Sequence, residues 1–190
     1  MLTIVRHGRT EFNANGKLLG RSDPELDSVG REQAENLASR LGKVGLVISS
    51  PLKRTMETAS YISDSVEPDN RWLELDYGEL EGSPIKNVPA DTWKKWQSDV
   101  NWAPPQGESL SELNERVTGA CEELIEISKN QNVVVVTHVS PIKSVLAWVL
   151  GVGIEIAWRC HVSPASSMSI DTTSNGPILQ NFNLLSEYHQ

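Results

Sequence analysis

A three-layer α/β/α sandwich, with a mostly parallel sheet and an antiparallel edge, is the fold this sequence predicts. Three observations carry that expectation. Short apolar runs, LTIV at 2–5, GLVIS at 45–49 and NVVVVT at 132–137, read as strands buried on both faces, the pattern of parallel strands. Amphipathic stretches of helical period alternate with them. The tail turns instead to short β-like pieces, SSMSID at 166–171 and PILQNFNLL at 177–185, around a Ser-Asn-Gly turn, which reads as a hairpin or edge strands.

In chain order, LTIV runs straight into Arg6, His7 and Gly8. Residues 28–42, SVGREQAENLASRLG, predict a helix with Ser28 as N-cap and Gly42 as its stop. Residues 51–63, PLKRTMETASYIS, predict a second helix, opened by a proline in its first turn. Residues 83–107 hold four of the ten prolines and three of the six tryptophans, and read as a loop-rich insertion with a short helix near DTWKKW. Its Trp93, Trp96 and Trp102 fit a lid, a core or an interface, the last of which would make a homodimer. A long helix spans 109–129, with Ser109 and Glu112 spaced as a capping box, and a further one spans 141–150. The 190 residues predict a single domain, 1–190.

Bulk composition excludes several roles. Hydrophobic residues make up 38% and charged residues 22%, as in a soluble globular protein. A net charge of −8 argues against a general nucleic-acid binder, which needs a broad basic surface. A small anionic ligand remains compatible, because a local arginine cluster outweighs a distant negative surface. Cys121 and Cys160 form neither a disulfide framework nor a CxxC, and read as small buried apolar groups in a reducing compartment. Neither a leader nor a membrane-length apolar run is legible, so the expected location is cytoplasmic, without a membrane partner.

Open α/β sheets bind ligands at the carboxyl ends of their strands. Three predicted strands deliver basic groups there: Arg6 and His7 after the first, Arg54 after the second, His138 after the third. An isolated arginine at a strand end is usually a solvated or paired cation, and an isolated histidine usually a hydrogen-bonded structural residue. His161 and His189 are assigned to that class. Convergence sets the others apart and predicts a compact cationic pocket of two arginines and two histidines. Signatures of other phosphate chemistries are missing, with no Walker loop, no cysteine followed by an arginine six residues on, no HExxH and no paired aspartates.

VRHGRTEFN resembles the signature of the histidine phosphatase superfamily, the phosphoglycerate-mutase-like enzymes. The resemblance continues in order through GRSDPELDSVGREQA, SSPLKRTMETA, LELDYGELEG, QGESLSELNERV and VVVVTHVSPIKSVL, from residue 2 to about 150. THVSPIK followed by WRCHVSPASSMSI looks most like small bacterial phosphatases. Leu80, where many relatives carry tryptophan, and Glu25 in DPEL depart from the pattern without touching the chemistry.

The resemblance implies a metal-independent phosphatase that needs no cofactor and acts on a small phosphorylated metabolite. His7 would attack phosphorus and become transiently phosphorylated. Arg6, Arg54 and a protonated His138 would hold the phosphoryl oxygens, with Asn13 as a further donor; beside that set, Arg21 and Val139 are candidate substrate contacts. Arg21 and Asp23 would line the mouth or form a structural pair.

Phosphoryl transfer is mostly positioning and charge stabilisation, which fixed guanidinium forks supply. His7 must be neutral to attack, and the neighbouring cations favour that state. Spacing alone does not choose among Glu74, Asp76, Glu79 and Glu81; only the resemblance selects Glu74 as the proton donor to the leaving oxygen. That role makes activity fall as pH rises well above neutral. A cofactor-dependent mutase or a non-catalytic phosphate-binding module are the alternatives. The cofactor-dependent mutases of the resembled family carry more chain between the glutamate motif and the G-E-S segment, so the short stretch from Glu74 to Gly107 favours the phosphatase by leaving the site open to water.

Overall fold

Four valines and a threonine make up the central strand, and all five are buried. Such β-branched residues suit a pleated surface covered on both sides. In the computed structural model, which describes residues 1–174 and 176–185, this strand is one of six. They are β1 (Leu2–Arg6), β2 (Leu46–Ser49), β3 (Glu67–Pro68), β4 (Val133–Thr137), β5 (Ser167–Thr173) and β6 (Gly176–Leu184). The sheet order is β3-β2-β4-β1-β5-β6. The first four strands run parallel, and β5 and β6 add an antiparallel edge. The expected sheet is the observed one; Asn175 of the anticipated turn, like His189, lies outside the described residues.

Helices cover both faces, and strand alternation decides which side chain meets which layer. Val5, Val47, Val134 and Val136 pack with Leu37 of α2 (Ser28–Ala38) and Ala59 of α3 (Lys53–Ser60), where α1 is the single turn Glu11–Ala14. Leu2, Ile4, Ile48, Val133 and Val135 point the other way, into the larger core. That core is built from α4 (Ala90–Ser98), α5 (Leu110–Ser128) and α6 (Val139–Leu150).

Several helix ends differ from the sequence reading, for local reasons. Asp27, not Ser28, caps α2, taking the Gly30 N–H at 2.7 Å, and the helix stops at Ala38, short of Gly42. Helix α3 starts at Lys53, two residues after Pro51, and Asp23 accepts the Lys53 N–H at 2.6 Å. Asp23 is therefore a capping group. The Ser109–Glu112 capping box of α5 is present as expected. Helix α6 starts at Val139 rather than Pro141, which gives the site two more backbone donors, and it ends on Gly151 in the left-handed conformation.

The insertion's tryptophans belong to the core. Trp96 is fully buried and stacks on Trp93 with centroids 5.6 Å apart, and Trp102 meets it edge-on. Cys121 is likewise core, whereas Cys160 is half-buried, and neither forms a disulfide. Among the described residues no helix is long and apolar enough to cross a membrane.

Gly8 matters for space rather than for a special dihedral angle. A Cβ there would collide with the Gly30 carbonyl oxygen, and one on Gly30 would collide with the Arg9 backbone. The loop after β1 and the first turn of α2 thus touch backbone to backbone. Gly8→Ala should cost about 1–3 kcal/mol in urea unfolding, because neither backbone can yield cheaply. An unchanged midpoint would refute this close packing.

Candidate active site

The carboxyl ends of β1 and β4 lie side by side, with Arg6 opposite Thr137 in register. His7 and His138 come directly after, and their rings meet edge-on with centroids 5.1 Å apart. The His7 backbone is pinned at both ends: its N–H donates to Thr137 O at 3.0 Å, and its carbonyl accepts the Ala165 N–H at 3.1 Å. Its Nδ1 lies 2.7 Å from Gly8 O. A carbonyl only accepts, so Nδ1 carries the proton and Nε2 keeps the lone pair. Burial, then Arg54 and Arg6, hold the His7 pKa well below the usual histidine range. The imidazole is neutral at pH 7 and well below it.

Two guanidinium groups stand around it. Arg6 Nη1 donates to Val162 O at 2.7 Å, and Arg54 donates to Ser22 O and Gly20 O at 2.7 and 2.8 Å. Both are buried, and both Nε atoms lack a partner among the described residues. Burial lowers each pKa to about 10, so both remain charged at neutral pH. Among the described residues neither forms an ion pair with a carboxylate; neutral carbonyls fix their direction, and the Glu74 carboxylate offsets only part of the charge of the two. Such a site attracts an anion.

His138 corrects one expectation. Burial, followed by Arg54, His7 and Arg6, keeps its pKa well below the ordinary value, so it is neutral rather than protonated. Its Nε2 pairs with Ser50 Oγ at 2.8 Å, and Nδ1 has no partner among the described residues. It can offer a hydrogen bond but not a charge.

Glu74 is the carboxylate that the fold places beside these groups. Its oxygens accept Leu75 N–H at 2.8 Å, Val139 N–H at 3.0 Å and Ser140 N–H at 3.1 Å. Val139 and Ser140 are the first two residues of α6, Pro141 has no N–H, and Ile142 N–H returns to His138 O. Every first-turn donor of α6 is thereby accounted for. Asp76 and Glu79 play other parts: Asp76 Oδ1 accepts Gly78 N–H, and Glu79 accepts from Gln106. Glu81 accepts the backbone N–H groups of Gly20 and Ser22.

A cavity of about 340 Å³ opens over this floor, lined by Arg6, His7, Asn13, Glu74, Tyr77 and Val139 among others. Arg54 and His138 do not line it but lie fully buried behind it, so the anticipated four-residue pocket is two residues at the surface and two beneath. Asn13 Oδ1 accepts Thr10 N–H in a capping box on α1, which leaves its amide nitrogen without a partner among the described residues. Arg21 is not among the lining residues. Its guanidinium sits 3.5 Å from Glu108 and 3.8 Å from Asp76, a structural pairing rather than a substrate contact.

Sequence reasoning missed four groups. His161, assigned to a structural role, is exposed at the cavity, and the half-buried Lys17 lines it too. Tyr77 lines the cavity, and burial raises its pKa above the usual phenol value, so it keeps its proton. Arg116 of α5 grips Glu108 through two nitrogens at 2.7 and 2.9 Å and donates to the carbonyls of Arg71 and Glu74. It positions the Glu74 segment. The motif QGESLSELNERV held the clue, since it carries both Glu108 and Arg116.

The histidine phosphatase superfamily, branch 1, has a family model that matches residues 2–185. The chain belongs to that superfamily. It is 32% identical over 194 residues to phosphoserine phosphatase 1 of Hydrogenobacter thermophilus, covering 96% of this chain and 92% of the relative. Identity is 33% over 190 residues to a probable phosphoglycerate mutase of Proteus mirabilis, covering 94% and 87%. Mycobacterial relatives at 32% identity are longer, and the match spans 48% of their length. The solved phosphoserine phosphatase of Entamoeba histolytica, in complex with 3-phosphoglyceric acid, superposes with a TM-score of 0.89 at 26% identity, covering 96% and 95%. This histidine phosphatase chain shares their α/β fold.

The two buried histidines make stability depend on pH with a definite sign. Below about pH 6.5 the unfolded chain takes up protons on both, and the folded chain does not, so stability falls as pH falls. Each contributes up to about 1.4 kcal/mol per pH unit. Urea unfolding at pH 7, 6 and 5 should show a slope in this window that is shallower by about that amount in His138→Gln. Equal slopes in the two proteins would contradict a neutral His138.

Proposed function

We propose that this chain is a metal-independent phosphomonoesterase working through phosphohistidine, its substrate a small phosphorylated metabolite. The observation that carries the reading is a neutral imidazole, proton fixed on Nδ1, facing a cavity that Arg6 lines, with Arg54 buried behind it. His7 Nε2 attacks phosphorus, and the bond to the leaving oxygen breaks. Glu74 supplies the proton that this oxygen needs. A water then attacks the phosphohistidine, Glu74 takes its proton, and the N–P bond breaks to release phosphate. Arg6 and Arg54 stabilise the charge on the equatorial oxygens, and His138 and Asn13 add hydrogen bonds.

Rapid quenching of enzyme mixed with labelled p-nitrophenyl phosphate should trap an acid-labile phosphoenzyme that His7→Ala lacks. Turnover without label on His7 would overturn the mechanism. Glu74→Gln keeps an acceptor for the α6 N–H groups but cannot give a proton. Its kcat should fall by about 10²–10⁴ on alkyl phosphates and much less on p-nitrophenyl phosphate, whose leaving group needs no acid. Equal losses on both would remove Glu74 from the acid role. Resemblance to a probable phosphoglycerate mutase supports a second reading. Interconversion of 2- and 3-phosphoglycerate faster than phosphate release would establish that one instead.

A further inference from the structure

A second cavity, of about 150 Å³, adjoins the first and shares Leu18, Tyr77 and Val139 with it. Its position relative to Glu74 is informative. Leu75, Val139 and Ser140 line it, and these are the three residues whose N–H groups hold the Glu74 carboxylate. If Glu74 protonates the leaving oxygen, the rest of the leaving group departs on that side. Glu74 itself lines the first cavity, and the second adjoins that space at Leu18, Tyr77 and Val139.

We propose that the second cavity receives the leaving group, and that the preferred substrates release an alcohol carrying one ring-sized apolar group with a hydrogen-bond acceptor on its far edge. The inference rests on the phosphatase reading and names its substrate class. Walls and size support it. Trp93, Trp96 and Trp158 pack against one another, with centroids 5.6–6.1 Å apart and Trp158 edge-on to both others, and present one aromatic wall to the cavity. Aromatic walls favour a flat apolar guest. A cavity of about 150 Å³ is the size that accepts a single benzene ring.

Lys143 supplies the polar end. It lines the cavity, and its Nζ donates one N–H to Ala157 O at 2.6 Å, which leaves two donors for a guest. Small polar acids such as glycerate or serine would leave the indole walls unfilled.

The test compares kcat/KM for ethyl, benzyl and 4-carboxybenzyl phosphates by phosphate release, since these primary alcohols leave with similar ease. Benzyl phosphate should exceed ethyl phosphate roughly tenfold or more, the discrimination that a ring-filled pocket provides. Trp93→Ala and Trp158→Ala should bring that ratio close to one. Both esters are read on one preparation, so loss of folded enzyme cancels in the ratio. The 4-carboxybenzyl ester should gain further over benzyl in the wild type and lose that gain in Lys143→Met. A benzyl-to-ethyl ratio near one, or a preference that both tryptophan variants retain, overturns the pocket assignment while leaving the phosphatase reading intact. Failure to hydrolyse any of the three, and p-nitrophenyl phosphate as well, overturns the phosphatase reading and the pocket's role with it.

Discussion

Two buried guanidinium groups, neither in an ion pair with a carboxylate among the described residues, are the constraint around which the rest of this molecule is arranged. An unpaired cation inside a protein costs several kcal/mol, so the fold must hold it there by other means. Backbone carbonyls do so here: Val162 for Arg6, and Gly20 and Ser22 for Arg54. They orient the forks without neutralising them.

The state of the histidines is a consequence of that choice. Placed among fixed cations and away from water, His7 and His138 are held neutral, and His7 keeps a lone pair that solvent would share with protons. The Gly8 carbonyl settles which nitrogen carries it. Position comes from a parallel ladder of buried valines, which sets the ends of β1 and β4 side by side, and from the backbone contact between Gly8 and Gly30. Rigid scaffolding of this kind lets a reacting group be aimed before substrate arrives.

Glu74 shows how one helix start serves two purposes. The first N–H groups of α6 need acceptors, and the acid proposed here needs a fixed position. Each satisfies the other across sixty-five residues of chain. Arg116 secures the same segment from α5 through the Glu74 carbonyl and Glu108. The Glu74 residue is therefore clamped from both its backbone and its side chain, and the second cavity adjoins that clamp at Leu75, Val139 and Ser140.

Local sequence determined the layers of this protein and the addresses of Arg6, His7, Arg54 and His138. Runs of β-branched residues read as buried strands, and residues just past the end of a parallel strand fall at one edge of the sheet whatever the remaining packing. Burial and partners over long separations were decided only by the tertiary structure. Spacing did not single out Glu74 among four acids, because the α6 donors that distinguish it come from a distant helix. It did not show that His138 is uncharged, that Arg21 is bound by Glu108 and Asp76, or that His161 and Lys17 reach the cavity. Those outcomes depend on which groups lose water and which neighbours they gain, and neither property belongs to a residue until the chain has folded around it.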